Sequence, residues 1–131
     1  MKVMIALLLS TLCFEVLNAQ CPEANALKDA DGVKLCARMF EDSHYYYEQS
    51  CGGEYLDAYP GEDVPIIPWR WNNRISSLVV SRGCSLTVWK YTKKRGSKSK
   101  FGAGIKYRLK ETMQGLFGDW ENDISGYYCV C

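Results

Sequence analysis

Trp71-Asn72-Asn73-Arg74-Ile75-Ser76-Ser77-Leu78-Val79 and Trp120-Glu121-Asn122-Asp123-Ile124-Ser125-Gly126-Tyr127-Tyr128 are one phrase written twice, 49 residues apart. Trp, Asn, Ile and Ser coincide in the two copies. Self-similarity at such a period marks a chain built from repeated supersecondary units, each unable to bury its apolar face alone. Upstream, both copies run in a similar order: a Gly, a β-like run (33–40 and 85–91), a polar turn, aromatics with Gly (45–53 and 101–104), then a looser stretch. Two motifs, about 32–80 and 83–131, fill the chain behind its N-terminal segment.

Within each motif the local signals are for strands. Leu78-Val79-Val80, Leu86-Thr87-Val88-Trp89 and Tyr127-Tyr128-Cys129-Val130 are rich in β-branched and aromatic residues and are punctuated by Gly, Asn, Asp and Ser. Leu109, Met113, Leu116 and Phe117 recur at helical spacing, which predicts a turn or two of helix interrupted at Gly115.

At the N-terminus Lys2 precedes an apolar run from Val3 to Phe14 and a short polar stretch ending at Ala19. That pattern predicts a signal peptide over 1–19. Its apolar core of about a dozen residues falls short of the roughly 20 that cross a bilayer as a helix. Cleavage after Ala19, or one bond later because Leu17 is bulky, leaves a single domain of about 112 residues. No Asn-x-Ser/Thr acceptor follows Asn18, so no N-linked glycan is expected.

Removal of Cys13 with the leader leaves Cys21, Cys36, Cys51, Cys84, Cys129 and Cys131, an even set delivered to an oxidising compartment. Three disulfides are expected. Cys129 and Cys131 point the same way on a strand and should reach different partners, but six cysteines allow 15 connectivities and the sequence does not choose. A zinc site is the rival reading. The spacings lack a two-residue Cys pair, and His44 is the only histidine.

Catalysis has little to draw on. No nucleophile elbow, phosphate loop or metalloprotease helix is present, and His44, beside Tyr45 to Tyr47, has no sequence-evident partner. Glu62-Asp63 reads as a solvated acidic loop in place of a glycosidase pair. A secreted hydrolase is therefore the weakest class, and no catalytic residue is expected.

Charge is divided along the chain: residues 21–63 balance at −7 and residues 64–131 at +8, so the halves attract each other. Lys90, Lys93, Lys94, Arg95, Lys98, Lys100, Lys106, Arg108 and Lys110 follow one another without an intervening acid. Such a run is an anion-binding footprint, for anionic lipid, sulfated polymer or the acidic half of the same chain; its bland reading is a solvated hairpin with Gly96 at the tip. Nucleic acid is not expected for a secreted chain. Val64-Pro65-Ile66-Ile67-Pro68-Trp69-Arg70-Trp71 is a Pro-bounded apolar loop of a composition suited to a bilayer interface. Trp71 belongs to the repeat and is expected in the core; Trp69 is the freer candidate for membrane contact.

Paired 40- to 50-residue β units, each ending in Trp, Asn, Ile and Ser before a last strand, resemble the βγ-crystallin family. The resemblance implies an all-β sandwich of two Greek-key motifs, here disulfide-stapled. It also implies a candidate calcium site on Asn72, Asn73, Ser76 and Ser77, because Asn72-Asn73-Arg74-Ile75-Ser76-Ser77 fits the pattern by which calcium-binding members present oxygen ligands. The second copy, Glu121 to Gly126, fits that pattern less well, and the non-binding alternative is that these side chains only brace a turn. No cofactor is required.

Further blocks, Asp31-Gly32, Cys51-Gly52-Gly53, Ser76 to Val80, Leu86 to Trp89, Lys100 to Gly104, Gly118-Asp119-Trp120 and Tyr128 to Cys131, stand in an order and spacing similar to the syncollin family. That resemblance implies a non-enzymatic protein of the zymogen granule lumen, peripheral on the luminal face of the granule membrane and engaged in regulated exocytosis. Membrane perturbation or pore formation is implied with it. Its implied partners are granule membrane lipids, cholesterol-containing bilayers among them, further copies of itself, and syntaxin or another granule membrane protein. The alternative is a freely secreted βγ-crystallin-like module for calcium or glycan.

Overall fold

The computed structural model describes residues 21–43 and 51–131. The signal-peptide reading of 1–19 and the reading of His44 fall outside the described residues. Among the described residues eight strands form two antiparallel sheets: β1 (Ala37–Ser43), β2 (Cys51–Ala58), β3 (Asp63–Val64), β4 (Ser77–Val80), β5 (Ser85–Tyr91), β6 (Arg95–Phe101), β7 (Gly104–Lys106) and β8 (Gly126–Val130). The first sheet has the order β2-β1-β4-β7 and the second β3-β8-β5-β6. Each motif thus sends its third strand into the sheet of the other, β3 beside β8 and β7 beside β4. This exchange makes the motifs mutually dependent and is the Greek-key sandwich expected from the repeat.

Period-2 alternation sets the layers. Ala37 and Met39 of β1, Leu78 and Val80 of β4, Leu86 and Val88 of β5, and Tyr127 and Cys129 of β8 point between the sheets. Trp71, Ile75, Trp120 and Ile124, the repeated residues, cap this layer from the loops. Phe40 and Val79, of opposite parity, form a second cluster with Leu27 and Leu35. The N-terminal segment therefore covers the outer face of the first sheet, and all four residues of β4 are buried. Truncating Leu78 or Ile75, both fully buried, would cost about 2–5 kcal/mol.

The 49-residue shift holds for β1 against β5 and β4 against β8: Phe40 pairs with Ser77 as Trp89 pairs with Gly126. It fails for the second strands. Ala37 pairs with Ala58 but Leu86 pairs with Phe101, so the first hairpin is six residues longer. The sequence parallel between 45–53 and 101–104 is corrected accordingly: Cys51 to Gly53 open β2, whereas Phe101 ends β6 and Gly104 opens β7.

Two further expectations change. The helix over 109–117 contracts to a single 3-10 turn, Leu109–Glu111, because only Leu109 finds the core. Beyond it Gly115 and Gly118 take positive φ, 66° and 82°, and the backbone doubles back with a bridge between Met113 and Asp119. Gly96 is not the hairpin tip. The turn comprises Thr92, Lys93 and Lys94, and Gly96 lies in β6 under the Tyr91 ring, where a Cβ would sit 2.5 Å from that ring.

Three disulfides join Cys21 to Cys51, Cys36 to Cys129, and Cys84 to Cys131. Cys129 and Cys131 do reach different partners. Cys36–Cys129 ties the start of β1 to β8 and so bolts one sheet to the other. Sγ atoms of Cys36, Cys84 and Cys131 lie within 4.8 Å of one another, but they are committed to two neighbouring disulfides and offer no thiolate to a metal.

Candidate functional site

The repeated phrases end the two long loops, 65–76 and 107–125, and these loops are laced together. Asn73 N donates to Ile124 O (3.2 Å) and Asn122 N to Ile75 O (2.9 Å). Ile67 N donates to Ser125 O (3.0 Å) and Leu109 N to Ser76 O (2.9 Å). Both loops therefore occupy one end of the sandwich.

Asn73 and Asn122 hold positive φ, 60° and 55°, a conformation Asn tolerates better than most residues. It carries their side chains across to the opposite motif. Ser125 Oγ donates to Asn73 Oδ1 (3.3 Å), and Ser76 Oγ donates to Asn122 Oδ1 (3.1 Å). The four oxygens proposed for calcium are thus divided: Asn73 and Ser76 belong to different crossed pairs. Ser77 Oγ donates to the Asp42 carbonyl at 2.7 Å and closes the β1 end, while Asn72 Oδ1 is buried without a hydrogen-bond partner. Asn122 and Ser125, from the second copy that fits the calcium pattern less well, thus join Ser76 and Asn73 in the crossed pairs.

Charge distinguishes the two crossed pairs. Glu41 and Asp42 lie in the same depression as Asn73, Arg74 and Asn122, and Glu41 is ion-paired with Arg74. At the equivalent place in the second motif stands Lys90, 3.8 Å from Asp123, in a depression shared with Asn72, Asn73 and Ser125. Oxygen donors of amide and hydroxyl type suit a hard cation, and a nearby carboxylate strengthens such a site. By that test the Asn122–Ser76 pair fits calcium better, since two carboxylates, Glu41 and Asp42, share its depression with one guanidinium, Arg74, whereas Asp123 alone faces Lys90 beside Asn73 and Ser125.

The basic run lies on β5, β6 and the turn between them. Lys93 and Lys94 take φ of 62° and 56°, a two-residue left-handed turn without the usual glycine. Lys93 N donates to Pro65 O at 2.8 Å, which fastens this turn to the 65–76 loop. Lys94 pairs with Asp63 at 2.8 Å and stands over the Trp89 and Tyr128 rings. Lys98 and Lys100, opposite Trp89 and Thr87, point away from the core beside exposed Tyr128. Among the described residues Lys93, Arg95, Lys98 and Lys100 make no ion pair, so the outer face of the second sheet is basic and partly aromatic. Among the described residues the ion pairs Lys94–Asp63, Arg74–Glu41 and Arg70–Glu54 join the basic to the acidic half.

Trp69 is 90% exposed, whereas Trp71, two residues on, is buried. Pro65 and Pro68 shape the loop, and Ile67 anchors it inside. Perturbed titrations lie elsewhere and are structural. The Tyr59 hydroxyl, 2.7 Å from Asp29 Oδ2, holds that carboxyl below its ordinary value and is itself pushed up to about 12. Burial, then Glu62, pushes Tyr127 up. The Asp57 carboxylate raises Arg38 through an ion pair at 2.6 Å.

Among the described residues no helix is long and apolar enough to cross a membrane. The fold defines a βγ-crystallin-type sandwich. Solved relatives of that fold include an archaeal βγ-crystallin (TM-score 0.54, 22% identity, 72% of this chain and 95% of that one). A βγ-crystallin domain of Flavobacterium johnsoniae aligns with TM-score 0.56 at 16% identity over 73% and 94% of the two chains. The domain of the Abundant Perithecial Protein of Neurospora crassa, solved in its calcium-bound form, aligns with TM-score 0.57 at 12% identity over 84% and 94%. The syncollin family model matches residues 20–131, and the chain belongs to the syncollin family. Syncollin of Rattus norvegicus is 47% identical over 111 residues, and that of Homo sapiens 46%, each alignment covering 85% of this chain and 83% of the relative.

Proposed function

We propose that this protein is a non-enzymatic, peripheral membrane protein of secretory granules that serves regulated exocytosis by adhering to the luminal leaflet and to copies of itself. The observation that carries this reading is Trp69, 90% exposed on a loop that the basic Lys93 turn touches. An interfacial aromatic next to cations is the combination that grips an anionic bilayer. Membership of the syncollin family supports the granule assignment, and the exposed lysines of β6 add an electrostatic component. The sandwich, its sheets bolted by Cys36–Cys129, favours binding as a folded body; any pore would be built by assembly of folded copies.

The test is sedimentation of the oxidised protein with vesicles of phosphatidylcholine and phosphatidylserine, with and without cholesterol. Binding that weakens with salt and with Trp69→Ala, in a variant that remains folded, is the expected result. A protein that stays in the supernatant at low salt on all vesicles overturns the reading. Fractionation of granules then separates a membrane-held protein from a freely secreted one.

A second reading rests on the crossed Asn–Ser pairs: a calcium-binding module, with Asn122 and Ser76 beside Glu41 as its better site. Calcium titration of the oxidised protein tests it, and absence of heat at millimolar calcium removes it.

A further inference from the structure

Among the described residues the turn over 113–118 presents a further exposed apolar group. Leu116 is 86% and Phe117 87% exposed, with Met113 also exposed beside them. The turn is hydrogen-bonded at its base. Gln114, buried at its base, donates from Nε2 to the Asp119 carbonyl (3.0 Å) and to Asp123 Oδ2 (2.6 Å), while its N–H donates to Gly118 O (3.1 Å). Gly115 and Gly118, both at positive φ, let the backbone reverse around the two side chains. Leu116 and Phe117 are thus held outward by a stiff support.

This turn belongs to the 107–125 loop and Trp69 to the 65–76 loop, corresponding segments of the two motifs that are hydrogen-bonded to each other at the same end of the sandwich. Lys106 and Lys110, both exposed, flank the turn in the chain, and Lys93 is fastened to the Trp69 loop. Resting on the membrane reading above, we propose that the 113–118 turn is a second bilayer anchor, inserting Leu116 and Phe117 into the interface of an anionic leaflet while Trp69 inserts from the neighbouring loop.

A lipid surface suits this group better than a protein partner for two reasons. Three side chains on one tight turn offer far less than the roughly 800 Å² per partner that a stable protein interface needs. Exposed lysines close to apolar tips are also complementary to acidic headgroups, which accept both the charge and the hydrocarbon. Two anchors, on loops hydrogen-bonded to each other, would fix the orientation of the domain on the membrane, which one anchor alone does not.

The probe is Phe117→Trp in a Trp69→Phe background, added to vesicles of phosphatidylcholine and phosphatidylserine, with brominated acyl chains as quencher. The emission that Phe117→Trp adds over the Trp69→Phe parent is expected to shift to the blue and to be quenched by bromine. Leu116→Ser/Phe117→Ser should lower the vesicle partition coefficient at least about tenfold, by loss of two apolar side chains, while melting like the wild type. If the wild type binds vesicles and the double serine variant binds equally, or if the added emission is unmoved on bound protein, the second anchor is wrong and the membrane reading survives. If the wild type binds no vesicles, both fall. Should the double variant instead lower the sedimentation coefficient in the absence of lipid, the turn is a self-association contact and the proposal is overturned.

Discussion

Ser76 and Asn122, one in each motif, share a hydrogen bond of 3.1 Å that runs from the serine hydroxyl to the asparagine Oδ1. Its counterpart, Ser125 to Asn73, is 3.3 Å long, so the geometry of the repeat is nearly symmetric. Charge is not. Glu41 and Arg74 in one half correspond to Lys90 and Asp123 in the other, and each ion pair appears with its polarity reversed.

That reversal predicts the effect of Lys90→Glu. The substitution removes an ammonium from beside Asn73 and Ser125 and sets a second carboxylate near Asp123, as the other half has both Glu41 and Asp42. Calcium-induced stabilisation, read as the shift of Tm on adding millimolar calcium, should exceed that of the wild type. At calcium ten times the dissociation constant the gain is about 1.4 kcal/mol, roughly 4–8 °C for a domain of this size. Equal shifts in the two proteins would show that charge at position 90 does not control the site.

Loss of disulfides should be graded by what each one joins. Removing Cys36–Cys129 as a double serine variant frees the two sheets and opens a loop that the retained Cys84–Cys131 bridge shortens to about 50 residues, at a cost of about 4 kcal/mol from chain entropy. Cys21–Cys51 closes 30 residues and pins only the N-terminal cover to β2, and its loss should cost about half a kcal/mol less by the same relation. Chemical denaturation of the two variants checks the order. A larger loss at Cys21–Cys51 would mean that the cover over Phe40 and Val79 contributes more than the bolt between sheets.

Much of this architecture was legible because the repeat brackets the core. Trp71 is buried, as its place in the doubled phrase led one to expect, and Ile75, Trp120 and Ile124 are buried with it, while the segments read as strands from their β-branched and aromatic content form β4, β5 and β8. Crossing of the Asn and Ser side chains was not legible, since local sequence cannot say which motif a left-handed Asn will face. The 109–117 segment misled for a related reason. Its helical spacing of Leu, Met, Leu and Phe looks like a buried stripe, yet only Leu109 meets the core and the other three face solvent. A hydrophobic period reports burial only when the residues are selected for burial.

Alkaline conditions should weaken the fold before they test its membrane attachment. Tyr59, held by Asp29, titrates near 12 when folded, and Tyr127 is raised by burial and by Glu62. A raised pKa means the neutral phenol is favoured in the folded state. The stabilisation is fully present below about pH 10, the unfolded value, and is lost as pH rises through the folded pKa. Melting between pH 9 and 12 should show Tm falling above pH 10, with a shallower fall in Tyr127→Phe. An identical slope in that variant would assign the loss to other groups. Alkaline extraction near pH 11 therefore confounds release with partial unfolding, and salt is the cleaner probe of attachment.

Salt sensitivity should reside in β6. Lys98 and Lys100 are exposed and without an ion pair among the described residues, whereas Lys94 is engaged by Asp63. Near an anionic leaflet each free lysine is worth about 1 kcal/mol, so Lys98→Gln/Lys100→Gln should weaken vesicle binding roughly 30-fold at low salt. The difference from wild type should shrink as ionic strength rises and the Debye length contracts. A Lys94→Gln variant with an equal or larger effect would move the contact from the strand to the turn.

Gln114 is the position where the apolar turn and the crossed loops meet, because its amide reaches Asp123, the residue that also faces Lys90. Gln114→Ala should cost about 1–3 kcal/mol by stripping the Asp119 carbonyl and the Asp123 carboxylate of a buried donor. Gln114→Glu keeps the shape but sets a second carboxylate against Asp123. Like charges at that distance raise the new group's pKa, so its destabilisation should be largest at neutral pH, exceed that of the alanine variant there, and fade as pH drops and the carboxyl takes up a proton. Thermal melts of both variants between pH 4 and 7 decide this. A glutamate variant whose stability relative to wild type does not change with pH would mean that Asp123 turns away from residue 114, and the support under Leu116 and Phe117 would have to be sought in the glycine turn alone.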